Sequence, residues 1–517
     1  MAWTRRRFVG SAGAATAAAG TGLGVRAFAG GAPGGDPGDT PNILYIYTDQ
    51  LRHDFLGCAG HPVAFTPNMD RLGNSGVRFA RCYTNSPLCR PARVSMVTGV
   101  YPHQHGVQNN ASPEVLPTDV PSHVRTMRDL AGYRTGIIGK AHLHTGEGHM
   151  DDWVWLMQEW GYTDVIETPG EFMSRRKGSA FSDALTAMTP EGDDDLYGVH
   201  TDFMQRYADE WHRVKEWETE PIDMEPWNLG LEHHIDTFVA NTSADWIRTV
   251  PRDRPWYLQC NFPGPHPPWN APSRYLDQYM RRIDEIPVGT MTLPGRPWSG
   301  LVRLMQAEVN VPRTLHQIRL MRAKYLARVS MLDELIGRVL EALTESGQDR
   351  NTWVILSSDH GEMVGDHSLV GKIVFFDPSC RVPLLIRPPT TVPFEPFVSD
   401  ALTDQMDVLT TLLKLGGVAP DDVGFGPDGS PLIDKVLAGP DHPGAHSGRD
   451  SVFAEVYNHA MLLDSRHKVV VDEMASRPVE LYDMELDPEE RVNLVNTPEY
   501  ADVQAGALAQ IEARLSG

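Results

Sequence analysis

Three short apolar runs that end in polar residues constrain the fold of this chain more than any other feature. NILYIYTDQ begins at Asn42, PWYLQCNF begins at Pro255 and TWVILSSDHG begins at Thr352. Continuous aromatic and β-branched runs of this length are typical of parallel strands that are buried on both faces. The runs therefore predict a sheet that is covered on both sides.

A helical pattern separates the second and third of these runs. The segment KYLARVSMLDELIGRVLEALTESG, from Lys324 to Gly347, has apolar residues at steps of three and four. Such steps form one apolar stripe on a helix, and a glycine is typical of a helix end. Strands that alternate with helices predict an α/β fold in which helices sandwich the sheet.

The 517 residues are enough for a large core and a smaller second unit. The stretch GGAPGGDPGDTP predicts a flexible linker over 30–40. A second stretch, between 420 and 450, is rich in Pro, Gly and Asp. It predicts a boundary between a main domain over 41–440 and a C-terminal unit over 441–517. The runs SVFAEVY and HKVVVD, the turn-rich ELYDMELDPEERVNL and a final helix VQAGALAQIEARL predict that this unit is α+β. Residues 145–250 are acidic, rich in Trp and weakly patterned, so their structure is not assigned.

The first 29 residues have the pattern of an export signal. TRRRFVG is followed by a run of small residues and by AFAG, a cleavage site after Ala29. This pattern resembles a twin-arginine signal and predicts an exported protein, periplasmic or extracellular. Because Arg26 interrupts the run well short of a membrane span, we expect no stable membrane insertion.

Charge and cysteine content exclude several classes of protein. The net charge of -22 argues against nucleic acid and anionic membranes as partners, so an anionic substrate needs a local cationic pocket. Cysteine spacing suits neither a zinc site nor a disulfide scaffold. The five cysteines are Cys58, Cys82, Cys89, Cys260 and Cys380. Cys89 is the functional candidate, and the other four are either core residues or disulfide partners.

Polar pairs follow two of the predicted strands directly. Asp49-Gln50 follows the first run and Asp359-His360 follows the last. In open α/β sheets ligands bind at the carboxyl ends of the strands. Either pair alone is typical of a turn or a helix cap. Together, two carboxylates, an amide oxygen and an imidazole predict a site for a divalent cation.

The segment NSPLCRPARVSMVTG places a cysteine at the start of a helix. Pro91 suits a first helical turn and Gly99 suits the end, so Cys89 lies where free N–H groups and the helix dipole favour negative charge. Arg93 lies about one turn further on and faces the same way. A buried structural cysteine is the alternative, but such a cysteine is rarely flanked by Arg90 and Arg93.

Three further segments place cations and proton carriers just beyond predicted strands. GYRTGIIGKAHLH contains Lys140 and His142, NFPGPHPPW contains His266, and GDHSLVGKIVFF contains Lys372. A single Lys or His is most often a surface or core residue. Their shared position predicts a common site. The Pro-rich loop around Trp269 and region 145–250 are expected to shape the pocket for the rest of the substrate.

Several of these segments resemble one known family. CRPAR resembles the C-x-P-[SA]-R motif of the type I sulfatases, whose cysteine is oxidised to formylglycine. GYRTGIIGKAHL is similar to the second signature of that family, in which Trp is more usual at Ala141. SDHGEMVGDH, K…RVPLLIRPP and ELYDMELDPEERVNL resemble further family segments in the expected order. The resemblance covers roughly Pro41 to Leu494. It implies an α/β fold like that of alkaline phosphatase, in which helices sandwich a mixed sheet, with a smaller C-terminal α+β domain.

The resemblance implies a metal site and a modified residue. Formylglycine derived from Cys89 would act as a hydrate whose hydroxyl attacks sulfur, after a formylglycine-generating enzyme has modified the chain. One divalent ion would be held by this residue and the two polar pairs: Asp49, Gln50, Cys89, Asp359 and His360. Oxygen ligands favour Ca²⁺, and the imidazole leaves Mn²⁺ as the alternative.

The resemblance also implies roles for the remaining candidates. Arg93, Lys140 and Lys372 would neutralise the sulfate oxygens. His266, helped by Lys372, would protonate the departing alcohol, and His142 would assist the release of sulfate from residue 89. The expected substrate is a small-molecule or carbohydrate sulfate ester.

Two departures from the family keep a second function open. Many members carry Asp where Gln50 stands and Asn where His360 stands. The Gln/His pattern resembles formylglycine hydrolases that act on phosphonate monoesters and phosphodiesters. A sulfatase is the leading hypothesis and such a hydrolase is the first alternative. A secreted binding protein without turnover is disfavoured, because chemically competent residues fill every expected position.

Overall fold

The computed structural model describes most of the chain beyond the N-terminal segment. The described residues are 40–112, 116–170, 173–174, 177–187, 225–294, 298–308, 314–419, 423 and 428–516. The predicted signal peptide over 1–29 and nearly all of the predicted linker lie outside them. Among the described residues, none of the helices combines the length and apolar character that a membrane span requires.

Nine strands of the described chain form one mixed sheet. They are β1 (Asn42–Asp49), β2 (Val77–Tyr83), β3 (Arg134–Gly139), β4 (Asp164–Glu167), β5 (Trp256–Pro265), β6 (Thr352–Ser358), β7 (Arg381–Val382), β8 (Leu384–Arg387) and β9 (Phe397–Asp404). Their order is β4-β3-β5-β1-β6-β8-β2-β7, and β9 pairs with β2. The first five strands in this order are parallel to one another. The three predicted strands are thus β1, β5 and β6, at the centre of the sheet.

Strand register brings the carboxyl ends of the parallel strands to the same edge. Thr48 of β1 lies opposite Ser358 of β6. Gly139 of β3 lies opposite Asn261 of β5 and Glu167 of β4. The residues that follow these positions therefore converge at one edge, as expected for a ligand site of an open α/β sheet.

Helices cover both faces of this sheet, as the sequence predicts. The helices of the described chain up to this point are α1 (Pro67–Asn74), α2 (Cys89–Thr98), α3 (Pro102–His105), α4 (His123–Asp129), α5 (Val154–Glu159), α6 (Ala180–Ala187), α7 (Ile235–Thr249), α8 (Ser273–Met280), α9 (Gly300–Glu308), α10 (Leu315–Glu345), α11 (Asp377–Cys380), α12 (Gln405–Leu415), α13 (Ile433–Ala438) and α14 (Pro443–His446), of which α9 packs against the smaller sheet described below. Alternate side chains of β1 enter two separate cores. Leu44 packs with the apolar stripe of α10, whereas Tyr45 packs with α2 and α12.

The longest helix, α10, contains the predicted helical segment and begins earlier. Thr314 caps it, because its hydroxyl accepts a hydrogen bond from the Gln317 N–H at 3.2 Å. The helix ends at Glu345, and Gly347 adopts a left-handed φ of 69°. The predicted stop at Gly347 is therefore correct.

A second, four-stranded antiparallel sheet lies near the C-terminus. It comprises β10 (Val452–Val456), β11 (His459–Leu463), β12 (His467–Asp472) and β13 (Arg477–Asp483) in that order. One face packs against α15 (Ala501–Leu515), and the other packs against Phe375 and Phe376 of the main body. The α+β character is confirmed. The segment ELYDMELDPEERVNL was predicted to be rich in turns, but its first four residues form the end of β13.

Candidate active site

The predicted site residues converge at the carboxyl edge of the five parallel strands. Lys140 follows β3, His266 follows β5 and Asp359 follows β6, while Asp49 ends β1. Helix α2 brings Cys89 to the same edge. It begins at Cys89, and Gly99 ends it with a left-handed φ of 75°, as predicted.

The thiol of Cys89 lies at the centre of a buried polar cluster. Its Sγ is 3.1 Å from Nε2 of His360, 2.9 Å from Nζ of Lys372 and 3.7 Å from Oδ1 of Asp49. Potential ligand atoms of Asp49, Cys89, Asp359 and His360 all lie within 4.8 Å of one another. Residues from four separate parts of the chain are thus brought together as the sequence predicts.

Two cations bind the two carboxylates. Arg93 donates from Nε to Asp359 at 2.8 Å, and its Nη2 lies 3.5 Å from Asp49. Lys140 Nζ donates to the same Asp49 carboxylate. These side chains are nearly inaccessible to solvent, so their charges are compensated within the site.

His360 and Gln50 are held in orientations that suit a cation site. Nδ1 of His360 lies 2.9 Å from the Gly361 carbonyl, so Nδ1 donates to that oxygen and Nε2 faces the cluster. Oε1 of Gln50 accepts a hydrogen bond from Lys372 at 2.7 Å. Gln50 has a left-handed φ of 71° and its N–H donates to Asp359 at 3.0 Å.

This set of ligands fits a divalent cation. Two carboxylates, an amide oxygen and an imidazole whose other nitrogen is bound to a backbone carbonyl match the chemistry of such sites. A candidate metal site is therefore present, at the predicted residues.

The cations set the protonation of the central groups. Burial by itself raises the pKa of Asp49, but the charges of Lys140, Lys372 and Arg93 outweigh it and hold that pKa well below its usual range. Burial and Asp49 raise the pKa of the Cys89 thiol, whereas Lys372, His360 and Lys140 bring it below the ordinary value. The site therefore stabilises negative charge, as expected of a local cationic pocket in an acidic protein.

Two histidines flank the cluster as neutral imidazoles. Burial, followed by the charges of Lys140 and Arg93, holds the pKa of His142 well below its usual value. Burial and Lys372 do the same for the pKa of His266. Nδ1 of His266 lies 2.7 Å from the Pro267 carbonyl. Nδ1 of His142 is buried and has no hydrogen-bond partner among the described residues.

A cavity of about 540 Å³ opens in front of this cluster. Cys89, His142 and His266 line it on the side of the cluster, and most of its wall comes from residues 144–177. Region 145–250 was expected to shape the substrate pocket, and several of its residues from Thr145 to Lys177 do line this cavity. From the Pro-rich loop around Trp269, His266 lines the cavity, whereas Trp269 itself is buried and its ring packs edge-on against Tyr325 at 5.5 Å.

A buried pair in the cavity wall was missed by sequence reasoning. Nε2 of His144 lies 2.9 Å from the Glu167 carboxylate, and both side chains are almost fully buried. His144 follows His142 by two residues in the same segment, so the argument from strand ends could have found it. Glu167 ends β4, whose four residues carry too little pattern to predict a strand.

The four remaining cysteines form no disulfide. Cys58, Cys82, Cys260 and Cys380 are all free thiols, and three of them are fully buried. The sequence allowed these four cysteines to be either core residues or disulfide partners, and the structure supports core residues.

Comparison with known proteins identifies the family. Residues 41–418, more than half of the chain, match the family model described as Sulfatase. The chain belongs to the sulfatase family. A second model, described as N-sulphoglucosamine sulphohydrolase, C-terminal, matches residues 365–516. The resemblance inferred from the motifs, and with it a sulfuric ester hydrolase, is confirmed at the level of the sulfatase family.

The chain is also similar to individual sulfatases in sequence and to a solved structure in fold. The chain is 28% identical over 490 residues to an arylsulfatase of Clostridium perfringens, covering 89% of this chain and 92% of the relative. It is 28% identical to a choline-sulfatase of Rhizobium meliloti, covering 89% and 83%. The crystal structure of a phosphonate monoester hydrolase of Agrobacterium radiobacter matches with a TM-score of 0.71 at 24% identity, covering 92% of this chain and 95% of that one. The predicted fold, like that of alkaline phosphatase, is confirmed.

Proposed function

We propose that this protein hydrolyses a sulfate ester to an alcohol and inorganic sulfate, with residue 89 as the nucleophile. The observation that carries the proposal is the position of Cys89 Sγ. It contacts both the imidazole of His360 and the ammonium group of Lys372, and Cys89 lines the open cavity. A group attached to residue 89 therefore meets both the candidate metal ligands and the cations.

Residue 89 is proposed to be formylglycine, made from Cys89 by a formylglycine-generating enzyme. Its hydrate supplies one hydroxyl for attack on sulfur and a second that allows sulfate to leave again. A thiolate offers no such route of release. The CRPAR motif and membership of the sulfatase family support this modification.

Arg93, Lys140 and Lys372 are proposed to bind the sulfate oxygens. Each has a charged nitrogen within contact distance of Cys89 or of a carboxylate next to it. Fixed cations in a buried site that excludes water stabilise the charge that develops on the sulfate group in the transition state. This arrangement also explains how a protein of net charge -22 could bind an anion.

His266 and His142 are proposed to move the protons. Burial and Lys372 depress the resting pKa of His266, and the negative charge of a bound sulfate ester opposes both effects. His266 would then protonate the leaving alcohol. His142 stays neutral beside Lys140 and would accept a proton from residue 89 as sulfate leaves.

One divalent cation is proposed to complete the site. Asp49, Asp359, His360, the oxygen of Gln50 and residue 89 would hold it, with Ca²⁺ favoured by the oxygen ligands and Mn²⁺ as the alternative. When bound, the ion acts as a Lewis acid that lowers the pKa of the attacking hydroxyl and orients the sulfate group.

The proposed substrates are small-molecule or carbohydrate sulfate esters. The cavity wall combines polar side chains, such as Asn110 and Thr145, with Met150 and Met173. Such a wall suits an alcohol that carries both hydroxyl and apolar groups. Export by a twin-arginine signal, after modification of residue 89, is part of this proposal and rests on the sequence alone.

A phosphonate monoester or phosphodiester hydrolase is the second candidate. It is favoured by the Gln50 and His360 pair and by the likeness of the fold to the phosphonate monoester hydrolase structure. Both reactions would use the same nucleophile and cations. They differ in whether the group that is attacked is centred on sulfur or phosphorus.

Paired substrates test the proposal and separate the two candidates. Protein with confirmed formylglycine at 89 is given an aryl sulfate and the matching aryl phosphonate, and Cys89→Ala is the control. We expect sulfate release to exceed phosphonate hydrolysis, and Cys89→Ala to abolish both. A preference for the phosphonate would support the second candidate. No release from either ester class would contradict both.

A further inference from the structure

Glu362 is a fully buried carboxylate that contacts Gln50, one of the candidate metal ligands. It lies two residues after His360 and is 0% exposed. Its Oε1 accepts hydrogen bonds from the N–H groups of Val364, at 3.1 Å, and of Gly371. Its Oε2 accepts a hydrogen bond from Nε2 of Gln50. Glu362 contacts none of the reacting groups, so the mechanism proposed above leaves it without a role.

The two ends of the Gln50 amide face different surroundings. Its nitrogen faces Glu362, and its oxygen faces Nζ of Lys372 at 2.7 Å. That same Nζ lies 2.9 Å from Sγ of Cys89, so the amide oxygen is turned towards the cluster. Only the oxygen of an amide can bind a cation, and a rotation of the amide by half a turn would present the NH₂ group instead.

We propose that Glu362 is a positioning residue that fixes the amide of Gln50 with its oxygen towards the metal site. A carboxylate can only accept hydrogen bonds, so the NH₂ end of the amide must face it. A carboxylate at position 50 would have an oxygen at each end and would need no such partner. The inference rests on the proposed metal site. Glu362 is needed to orient the side chain at position 50 because that side chain is the amide of Gln.

The same carboxylate also supports Lys372. Through Oε1 it binds the N–H of Gly371, the residue that precedes Lys372 in the chain. Glu362 thus holds the amide of Gln50 from one side and the backbone next to Lys372 from the other. The two groups that it holds are hydrogen-bonded to each other, through Nζ of Lys372 and Oε1 of Gln50.

An exchange of the two side chains tests the proposal. Metal-free full-length protein is titrated calorimetrically with Ca²⁺ and with Mn²⁺, without any substrate. We expect Glu362→Gln to weaken metal affinity by about 10-fold to 100-fold, because an amide at 362 keeps its oxygen on the two backbone N–H groups and turns its NH₂ towards Gln50, which favours the flipped amide at position 50. In the double variant Gln50→Glu/Glu362→Gln, the amide at 362 donates to the carboxylate at 50, so affinity should return to the wild-type level or exceed it.

Two further variants keep the test decisive. Glu480→Gln neutralises another buried carboxylate, in β13, and should leave metal affinity unchanged. If Glu362→Gln does not fold, Gln50→Glu is compared with the double variant. Gln50→Glu places two carboxylates against each other and should bind metal more weakly and unfold at a lower temperature than the double variant.

Three results would overturn the proposal. The first is wild-type metal affinity in Glu362→Gln, and the second is a double variant that binds no better than Glu362→Gln. The third is equal behaviour of Gln50→Glu and the double variant. Because the titration needs no turnover, its outcome is independent of sulfate release. A protein that shows the expected metal affinities but hydrolyses no ester would contradict the proposed function alone.

Discussion

Arg93 links the two carboxylates of the site. It donates to Asp359 at 2.8 Å, lies 3.5 Å from Asp49, and its guanidinium group stacks 5.0 Å above the ring centre of Tyr47. A planar group with several donors can make these contacts at once, which a lysine ammonium cannot. The geometry therefore depends on arginine and not only on positive charge.

We expect Arg93→Lys to lower kcat/KM for a sulfate ester by about 100-fold or more, because a single ammonium group cannot bind Asp359 and the sulfate oxygens together. Initial rates of sulfate release measure this. The exposed Arg248→Lys on α7 is the matched control and should leave the rate unchanged. Undiminished activity of Arg93→Lys would contradict the role given to its planar group.

At the scale of elements, the end of β3 depends on close contact with β5. Gly139 has a left-handed φ of 104°, and a Cβ at this position would overlap the carbonyl oxygen of Asn261. The next residue, Lys140, is one of the site cations. A glycine is thus required where the strand delivers its side chain to the site.

Gly139→Ala should lower the free energy of unfolding by about 3 kcal/mol or more, because the strained φ and the overlap with backbone act together. Gly132→Ala is the control. Gly132 also has a positive φ, of 73°, but a Cβ there would meet open space, so we expect a loss of about 1 kcal/mol. Denaturant unfolding of both variants measures the difference, and equal losses would show that the contact with Asn261 is unimportant.

Helix α10 also caps helix α1. The carboxylate of Asp333 accepts hydrogen bonds from the N–H groups of Asn68 and Met69, at 3.1 and 2.8 Å. Burial is the main cause that raises the pKa of Asp333, to about 6. Because this pKa is above its value in the unfolded chain, protonation favours the folded state. The resulting stability is present below about pH 4 and is lost as the pH rises through 6.

Comparison with Asp333→Asn isolates this contribution. Between pH 4 and 7 the wild type should lose about 1 to 3 kcal/mol of unfolding free energy relative to the variant, which has no carboxyl to titrate at 333. Urea unfolding at several pH values measures it. A constant difference between the two proteins across this range would contradict the raised pKa.

Sequence patterns could predict the centre of the fold better than its edges. Strands β1, β5 and β6 are buried on both faces and therefore have long apolar runs, and their parallel order brings Asp49 and Asp359 together. The short edge strand β4, and with it Glu167, depends on tertiary contacts that no local pattern encodes. The same holds for Glu362, whose partner at position 50 is distant in the chain.

At the scale of the whole molecule, a buried ion network joins the smaller sheet to the site. Lys468 of β12 donates to Asp377 at 2.6 Å, to Glu490 at 2.7 Å and to the carbonyl of Phe375 at 2.9 Å. Burial lowers the pKa of Lys468, but Asp377, Cys380 and Glu490 outweigh it and hold the pKa well above its usual value. The segment that Lys468 binds follows Lys372 closely, so the smaller sheet supports a site cation.

Lys468→Met should destabilise the protein by about 3 to 5 kcal/mol, because it leaves the buried Glu490 without a cation and Asp377 with Arg381 alone, at 3.3 Å. Lys414→Met removes the exposed ion pair with Asp434 and should cost less than about 1 kcal/mol. Thermal unfolding distinguishes the two. Similar small losses in both variants would mean that the network does not hold the smaller sheet in place.

The chemical state of residue 89 tests the central claim most directly. Mass spectrometry of the peptide that contains CRPAR, from active protein made in its native host, measures that state. The mechanism requires the aldehyde mass of formylglycine at position 89, in proportion to the specific activity of each preparation. An unmodified Cys89 thiol in protein that hydrolyses a sulfate ester at its full rate would contradict the mechanism.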